Sequence, residues 1–410
     1  MKRFEEFATR FVQSVGNKEG AVSPAIAASA SFAYGDPETA EGIFSGEVKK
    51  PLYARMGNPT TGKLEGILAD MDGGIGAVAT GSGMGAVSLA VLGLAQAGDE
   101  LLSIGGLFGG TYSFFNETLP RFGITTRFFT TDEMDAVEAA VTEKTRAIFL
   151  ETVGNPSMRL PDIAKAAAIA KQYGVALIVD NTITPMAVSP LKLGADMAVY
   201  STTKIISGNA SALGGAVVFR AIEAEDKFRG ERYKALHPVI NKMGAMALIP
   251  NAKKKVLRDF GMSANAFGSY LTMLGLETLP LRMDRIAESV EIVAKGLVEG
   301  GLRVTHPSLS DHPDHGLYRS AYPNGCGTML TLDFGSKEKA FAFLSQSRLA
   351  TITANIGDSR TLALHMASTI YRDFDEKARE FLGITPGLVR VSIGLENPQD
   401  IIDDFLQAAK

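Results

Sequence analysis

The chain has 410 residues, enough for two or three domains with a generous core, and its 46% hydrophobic and 21% charged content is that of an ordinary globular protein. A formal net charge of -4 gives no reason to expect nucleic acid or an anionic membrane as a partner, and no apolar run approaches the roughly 20 residues that span a bilayer. The single cysteine, Cys326, excludes an internal disulfide framework and fits a reducing compartment. Lys2-Arg3 is followed by Glu5 and Glu6 with no apolar stretch, so the N-terminus does not read as a signal peptide and the expected location is the cytoplasm.

In chain order, Phe4, Phe7, Ala8 and Phe11 fall at helical spacing and predict a small amphipathic helix over 4–12. Residues 21–51 are rich in Ala, Ser, Gly and Pro with weak periodicity, which predicts an extended surface arm that buries itself against a partner subunit. An alternating pattern follows, with strands expected at 77–79, 100–104, 127–130, 147–150, 176–179 and 197–200. Helices are expected at 85–97, 132–142 and 161–173, and Gly98, Gly123 and Gly174 each stand where a C-cap would fall. Such alternation is the signature of a mostly parallel sheet in an α/β fold. Residues 252–300 predict a long connecting helix with Leu271 and Leu274 on one face and a break or kink at Pro280. A smaller C-terminal α/β unit is expected beyond it, with strands near 303–305, 329–333 and 389–393 and a closing helix at 399–409. The expected division is an N-terminal arm over 1–57, a large domain over 58–256 and a smaller one over 257–410.

The richest stretch is 176–208. An apolar strand delivers Asp180 at its carboxyl end, and a second apolar run delivers Ser201, Thr203 and Lys204 at the same edge. Carboxyl ends of strands are where ligands bind in open α/β sheets. A carboxylate, hydroxyls and one amine suit pyridoxal phosphate (PLP): the amine forms a Schiff base, the carboxylate holds the pyridine nitrogen protonated, and the hydroxyls reach the phosphate. Three rival patterns are present. Gly81-Ser-Gly83-Met-Gly-Ala86, with Asp99 beyond it, matches a dinucleotide-binding turn and by itself favours an NAD(P)-dependent oxidoreductase, although the same geometry binds any phosphate at a helix N-terminus. Ser201-x-x-Lys204 matches an element of serine acyl transferases, but the companion Ser-Asp-Asn and Lys-Thr-Gly segments are missing. Asp311-His312-Pro-Asp314-His315 gathers metal-ligating types, yet reads as a polar loop, so no metal site is expected.

Asp180 followed about twenty residues on by Ser201-Thr-Thr-Lys204 resembles the lysine segment of the Cys/Met-metabolism PLP-dependent enzymes, the family of cystathionine synthases and lyases, methionine γ-lyases and O-acetylhomoserine sulfhydrylases. The resemblance runs from about Ala21 to Ala408. It implies the type I PLP-dependent transferase (aminotransferase-like) fold. It implies Lys204 as the catalytic, cofactor-bearing lysine, Gly83 and Met84 at the phosphate, and Asn155, in Glu151-Thr-Val-Gly-Asn-Pro, near the phenolic oxygen. Tyr53 and Arg55 would reach the neighbouring subunit's phosphate. Phe108 stands where most members carry a stacking Tyr, so the aromatic face is kept and the phenol lost. Arg390 would grip the substrate α-carboxylate, and Ser368, in His365-Met-Ala-Ser, belongs to a second substrate segment. Gly357–Leu362, Arg258-Asp-Phe-Gly and Gly275-Leu-Glu-Thr-Leu look most like the O-acetylhomoserine sulfhydrylases. The implied reaction is γ-replacement on an O-acylated homoserine in methionine biosynthesis, with γ-elimination by a methionine or cystathionine γ-lyase as the alternative. The implied assembly is a homotetramer of dimers that share active sites, with dimer against tetramer left open. The acyl group is also open, as is the sulfur donor: sulfide, a thiol or a carrier protein.

Overall fold

A computed structural model describes residues 3–410. Seven short apolar runs form one sheet: β1 (Gly76–Thr80), β2 (Glu100–Ile104), β3 (Thr125–Phe129), β4 (Thr145–Glu151), β5 (Ala176–Asp180), β6 (Met197–Tyr200) and β7 (Gly215–Phe219). Their order is β1-β7-β6-β5-β4-β2-β3, and only β7 runs against the rest. The carboxyl ends of β1, β4, β5 and β6 therefore share one edge, where Glu151 pairs with Asp180 and Thr80 with Gly215. Ala176 to Val179 are all fully buried, as expected of a strand covered on both faces. The six expected strands are all present, shifted by at most two residues at an end.

The second sheet has five strands in the order β10-β11-β12-β9-β8: β8 (Val304–Thr305), β9 (Met329–Asp333), β10 (Thr351–Ile352), β11 (Leu362–His365) and β12 (Leu388–Ser392). β10 and β11 escaped the sequence reading because a two-residue edge and a four-residue run are too short for alternation to register. The closing helix is Pro398–Ala408.

Three expectations need correction. The arm is not wholly extended: Asp36 caps a helix over Pro37–Ser45, accepting from the Thr39 amide at 2.7 Å. Gly98 is not a C-cap, because the helix Gly83–Leu92 stops at Gly93. The following Leu94 and Ala95 only imitate another apolar turn. Pro280 does not break the connecting helix, which is continuous over Ala266–Glu299. A proline removes one backbone hydrogen bond and crowds the preceding turn, a cost of about 3 kcal/mol. Burial of Met273, Leu276, Leu279, Met283 and Ile286 on that helix offsets it. These residues also define the buried face, whereas Leu274 is 37% exposed and Leu271 lies half-buried beside it. The first helix, Glu5–Val15, packs its Phe7, Phe11 and Val15 into the core against the long helix.

Candidate active site

A cavity of about 230 Å³ opens at the carboxyl edge of the large sheet. It is lined by Gly83, Met84, Phe108, Asn155, Asp180, Ser201, Thr203, Lys204 and Arg390, nine of the residues singled out in the sequence. Each arrives for a local reason. The Ser82 hydroxyl caps the helix Gly83–Leu92, accepting from the Gly85 amide at 3.1 Å. This leaves the first-turn amides of Gly83 and Met84 without a carbonyl one turn back, a ready anion site. Gly83 must be glycine: a Cβ there would sit 2.5 Å from the Ser201 Cβ. Asp180 ends β5, and its carboxylate accepts from the Thr182 amide at 2.9 Å in an Asx turn. The Thr182 hydroxyl accepts from the Ser201 amide at 2.7 Å, which ties the end of β5 to the start of the lysine turn.

The Lys204 amine donates to the Asn355 side-chain oxygen at 2.7 Å. Burial, helped by the Arg390 charge, pulls it down to about 8, so a neutral amine is within easy reach near neutral pH. Arg390 is 3% exposed and donates to the Asn155 side chain at 3.1 Å and the Asn355 carbonyl at 3.3 Å. Burial lowers it to about 10, and it stays charged. Asp180 borders the open cavity and is only half-buried by surface, yet the enclosing walls push its carboxyl up to about 6. Its neighbour Glu151 accepts from the Phe108 amide at 2.7 Å. Burial first, and then the Asp180 charge, push Glu151 well above the usual carboxylate range.

Three expected residues are not brought to the cavity within one chain. Tyr53 and Arg55 are exposed, with Arg55 donating to the Arg258 carbonyl at 2.7 Å. The Ser368 hydroxyl is held by the His365 ring at 2.7 Å. Thr203 lines the cavity, but its hydroxyl is shared with Gly214, donating to the carbonyl at 3.1 Å and accepting from the amide at 2.9 Å. The polar loop 311–315 is structural: Asp314 pairs with Arg159 at 2.7 Å, and no metal-ligating cluster occurs among the described residues. Cys326 is fully buried, and burial holds its thiol above the ordinary range. Sequence reasoning missed Thr182, which the Asp-Asn-Thr turn pattern could have revealed. It also missed Asn355, for which no local signal exists.

The sequence profile of the Cys/Met metabolism PLP-dependent enzymes matches residues 8–410. The chain belongs to this family. The chain is similar to the O-acetyl-L-homoserine sulfhydrylase of Leptospira meyeri, 34% identical over 399 residues that cover 93% of this chain and 90% of the relative. The homocysteine synthase of Schizosaccharomyces pombe is 35% identical, with 93% and 92% covered. A solved structure from Campylobacter jejuni, assigned as an O-acetylhomoserine (thiol)-lyase and carrying a pyridoxyl-lysine phosphate, superposes with a TM-score of 0.92 at 31% identity. It covers 98% of this chain and 99% of that one. The fold is thus that of a PLP-dependent enzyme, and the cofactor is PLP. The cavity suits it: open first-turn amides for the phosphate, the Asp180 carboxylate for the ring nitrogen, and an amine of lowered basicity. A family that depends on PLP also settles the glycine-rich turn against the dinucleotide reading.

Proposed function

We propose that the chain exchanges the γ-substituent of an O-acylated homoserine, O-acetylhomoserine in particular, for sulfur. The Cγ–O bond breaks, acetate leaves with the electron pair, and a Cγ–S bond forms to the incoming nucleophile, whose proton is released. With sulfide the products are homocysteine and acetate, which places the enzyme in methionine biosynthesis. The observation that carries this reading is the single cavity in which the Lys204 amine, the Asp180 carboxylate and the buried Arg390 guanidinium converge. The relatives named as sulfhydrylase and homocysteine synthase point to the same reaction.

Bound PLP withdraws electrons from the amino acid and makes its Cα proton acidic. Asp180 would hold the proton on the ring nitrogen. Lys204 would carry the cofactor and, as a free amine, would move protons between Cα and Cβ, a task for an amine that shifts its pKa readily. Arg390 keeps N–H groups free beyond those spent on Asn155 and Asn355, and its fork takes the α-carboxylate. The amides of Gly83 and Met84 and the hydroxyls of Ser201 and Thr203 would hold the phosphate. Phe108 would face the ring, and Asn155 would serve its phenolic oxygen. Tyr53 and Arg55 complete a neighbouring subunit's site from the arm, in a homotetramer of dimers. The arm (1–57), a large domain (58–256) and a small one (257–410) are the units of that assembly. Among the described residues no helix is long and apolar enough to cross a membrane, and one buried cysteine suits the cytoplasm.

The purified protein is expected to be yellow, and borohydride to fix a pyridoxyl group on Lys204. Assays with O-acetyl-, O-succinyl- and O-phosphohomoserine, each with sulfide, a thiol or a thiocarboxylated carrier protein, identify ester and donor. Homocysteine from the acetyl ester is the expected product. If 2-oxobutanoate predominates, the enzyme is a γ-lyase instead.

A further inference from the structure

Behind the cavity, the turn that carries Lys204 is gripped by a guanidinium to which the reaction above gives no part. Arg282 projects from the long helix Ala266–Glu299 and is 9% exposed. Its Nη1 donates to the Ile205 carbonyl at 2.6 Å, and its Nη2 to the Ile206 carbonyl at 3.0 Å and the Gly275 carbonyl at 2.7 Å. Its Nε reaches the Thr278 hydroxyl at 3.2 Å. Buried arginines usually face a carboxylate. This one spends its fork on backbone oxygens, and Asp358 acts on it only as a nearby charge.

The oxygens it takes are those directly after the lysine. The Lys204 carbonyl accepts from the Gly208 amide at 2.9 Å, and those of Ile205 and Ile206 are satisfied by Arg282. One side chain from another element thus caps a turn whose carbonyls would otherwise be orphaned. The packing around it is backbone against backbone. A Cβ on Gly275 would stand 2.5 Å from the Ser207 carbonyl oxygen and 2.6 Å from that of Ile206. A Cβ on Gly357 would stand 2.7 Å from the Ile205 amide nitrogen. Gly208, at φ +76°, lies so close to the Arg282 guanidinium that any side chain would overlap it.

We propose that Arg282 is a positioning residue for Lys204: its fork locks the backbone of 204–206 so that the freed amine returns to one place for each proton transfer. A planar fork suits this because it holds several acceptors in fixed geometry, which an ammonium cannot do. A misplacement of about 1 Å at a reacting group costs about 10²-fold in rate. The inference rests on the reading of Lys204 as the proton carrier.

The test uses the full-length, PLP-loaded enzyme with Arg282→Met, Arg282→Lys and Gly275→Ala, the last of which wedges the helix off the turn while leaving Arg282 chemically intact. Arg282→Met is expected to lower kcat about 10²-fold, with KM for O-acetylhomoserine nearly unchanged because the Arg390 pocket is untouched. Arg282→Lys should fall between it and the wild type. The isotope effect from Cα-deuterated substrate should rise in Arg282→Met and Gly275→Ala, and amide exchange in peptide 201–208 should quicken while that in 176–180 does not. Folded, loaded Arg282 variants with the wild-type kcat and isotope effect would overturn the inference. If neither Arg282 variant folds, Gly275→Ala decides by the same isotope effect, and failure of all three to fold assigns the contact to folding and overturns it too. If Lys204→Ala still fixes a pyridoxyl label, the reading of Lys204 itself fails, a result distinct from any of these.

Discussion

At Phe108 a phenyl ring lines the cavity where most of the family is expected to present a phenol. Tyr112 lies four residues on and is the nearest phenol in sequence, but it is packed among Phe128, Phe374 and Phe381 with ring centroids 4.9, 5.5 and 6.2 Å away. It is absent from the cavity wall, and burial holds its hydroxyl above the ordinary range. Among the described residues, none that lines the cavity within one chain carries a phenol. Acetate leaves with little help from an acid, whereas the thiolate that leaves methionine is more basic and gains from a proton donor. Such a donor is worth about 10²–10⁴ in rate. Wild-type enzyme should form homocysteine efficiently from O-acetylhomoserine and release little 2-oxobutanoate from methionine. Phe108→Tyr should raise methionine cleavage more than replacement. Equal wild-type rates on the two substrates would refute this account of Phe108.

Among the elements, β5 and β6 carry most of the chemistry, and a buried polar network joins their ends from behind. The Asn181 side-chain nitrogen, next to Asp180, donates to the Tyr200 hydroxyl at 2.9 Å, and Tyr200, next to Ser201, donates to Asp72 at 2.6 Å. Asp72 ends the helix Pro59–Asp72, is 2% exposed, and is pushed up to about 7 by burial despite the Tyr200 hydrogen bond. Because its folded-state pKa is raised, its contribution to stability is complete below about pH 4 and is lost as the pH rises towards 7. Asp72→Asn keeps an acceptor for Tyr200 and cannot ionise. Relative to that variant, wild type should lose stability between pH 4 and 7, on the order of 4 kcal/mol at most. Denaturant melts of both proteins across that range provide the measurement. A constant difference between them would mean that Asp72 ionises normally.

For the whole molecule, the arm raises the question of what completes the site. Tyr53 and Arg55 sit exposed, with the Arg55 carbonyl accepting from the Ser263 hydroxyl at 2.7 Å. Neither reaches the cavity of its own chain. If they serve a neighbour, a heterodimer of Arg55→Ala with Lys204→Ala retains one intact composite site. Mixing and reassembling the two inactive variants should then restore part of the activity. No recovery would mean that each site is built within one chain.

Nine of the twelve strands among the described residues, and the residues at their ends, were legible in the sequence because both are local; β7, β10 and β11 were not. A buried strand is a run of apolar residues, and the polar group that follows it is delivered to the sheet edge by the backbone itself. Asp180, Ser201 and Lys204 were found in this way, and Gly83 and Met84 by the turn between a strand and a helix. The tertiary structure alone decided which distant groups meet them. Asn355 touches the Lys204 amine across 151 positions of chain, and Arg282 caps the lysine turn from a helix that passes straight through Pro280. Neither contact leaves a periodic trace. Each depends on where the long helix and the second sheet lie against the first, and that placement follows from burying their apolar faces together rather than from any short stretch of residues.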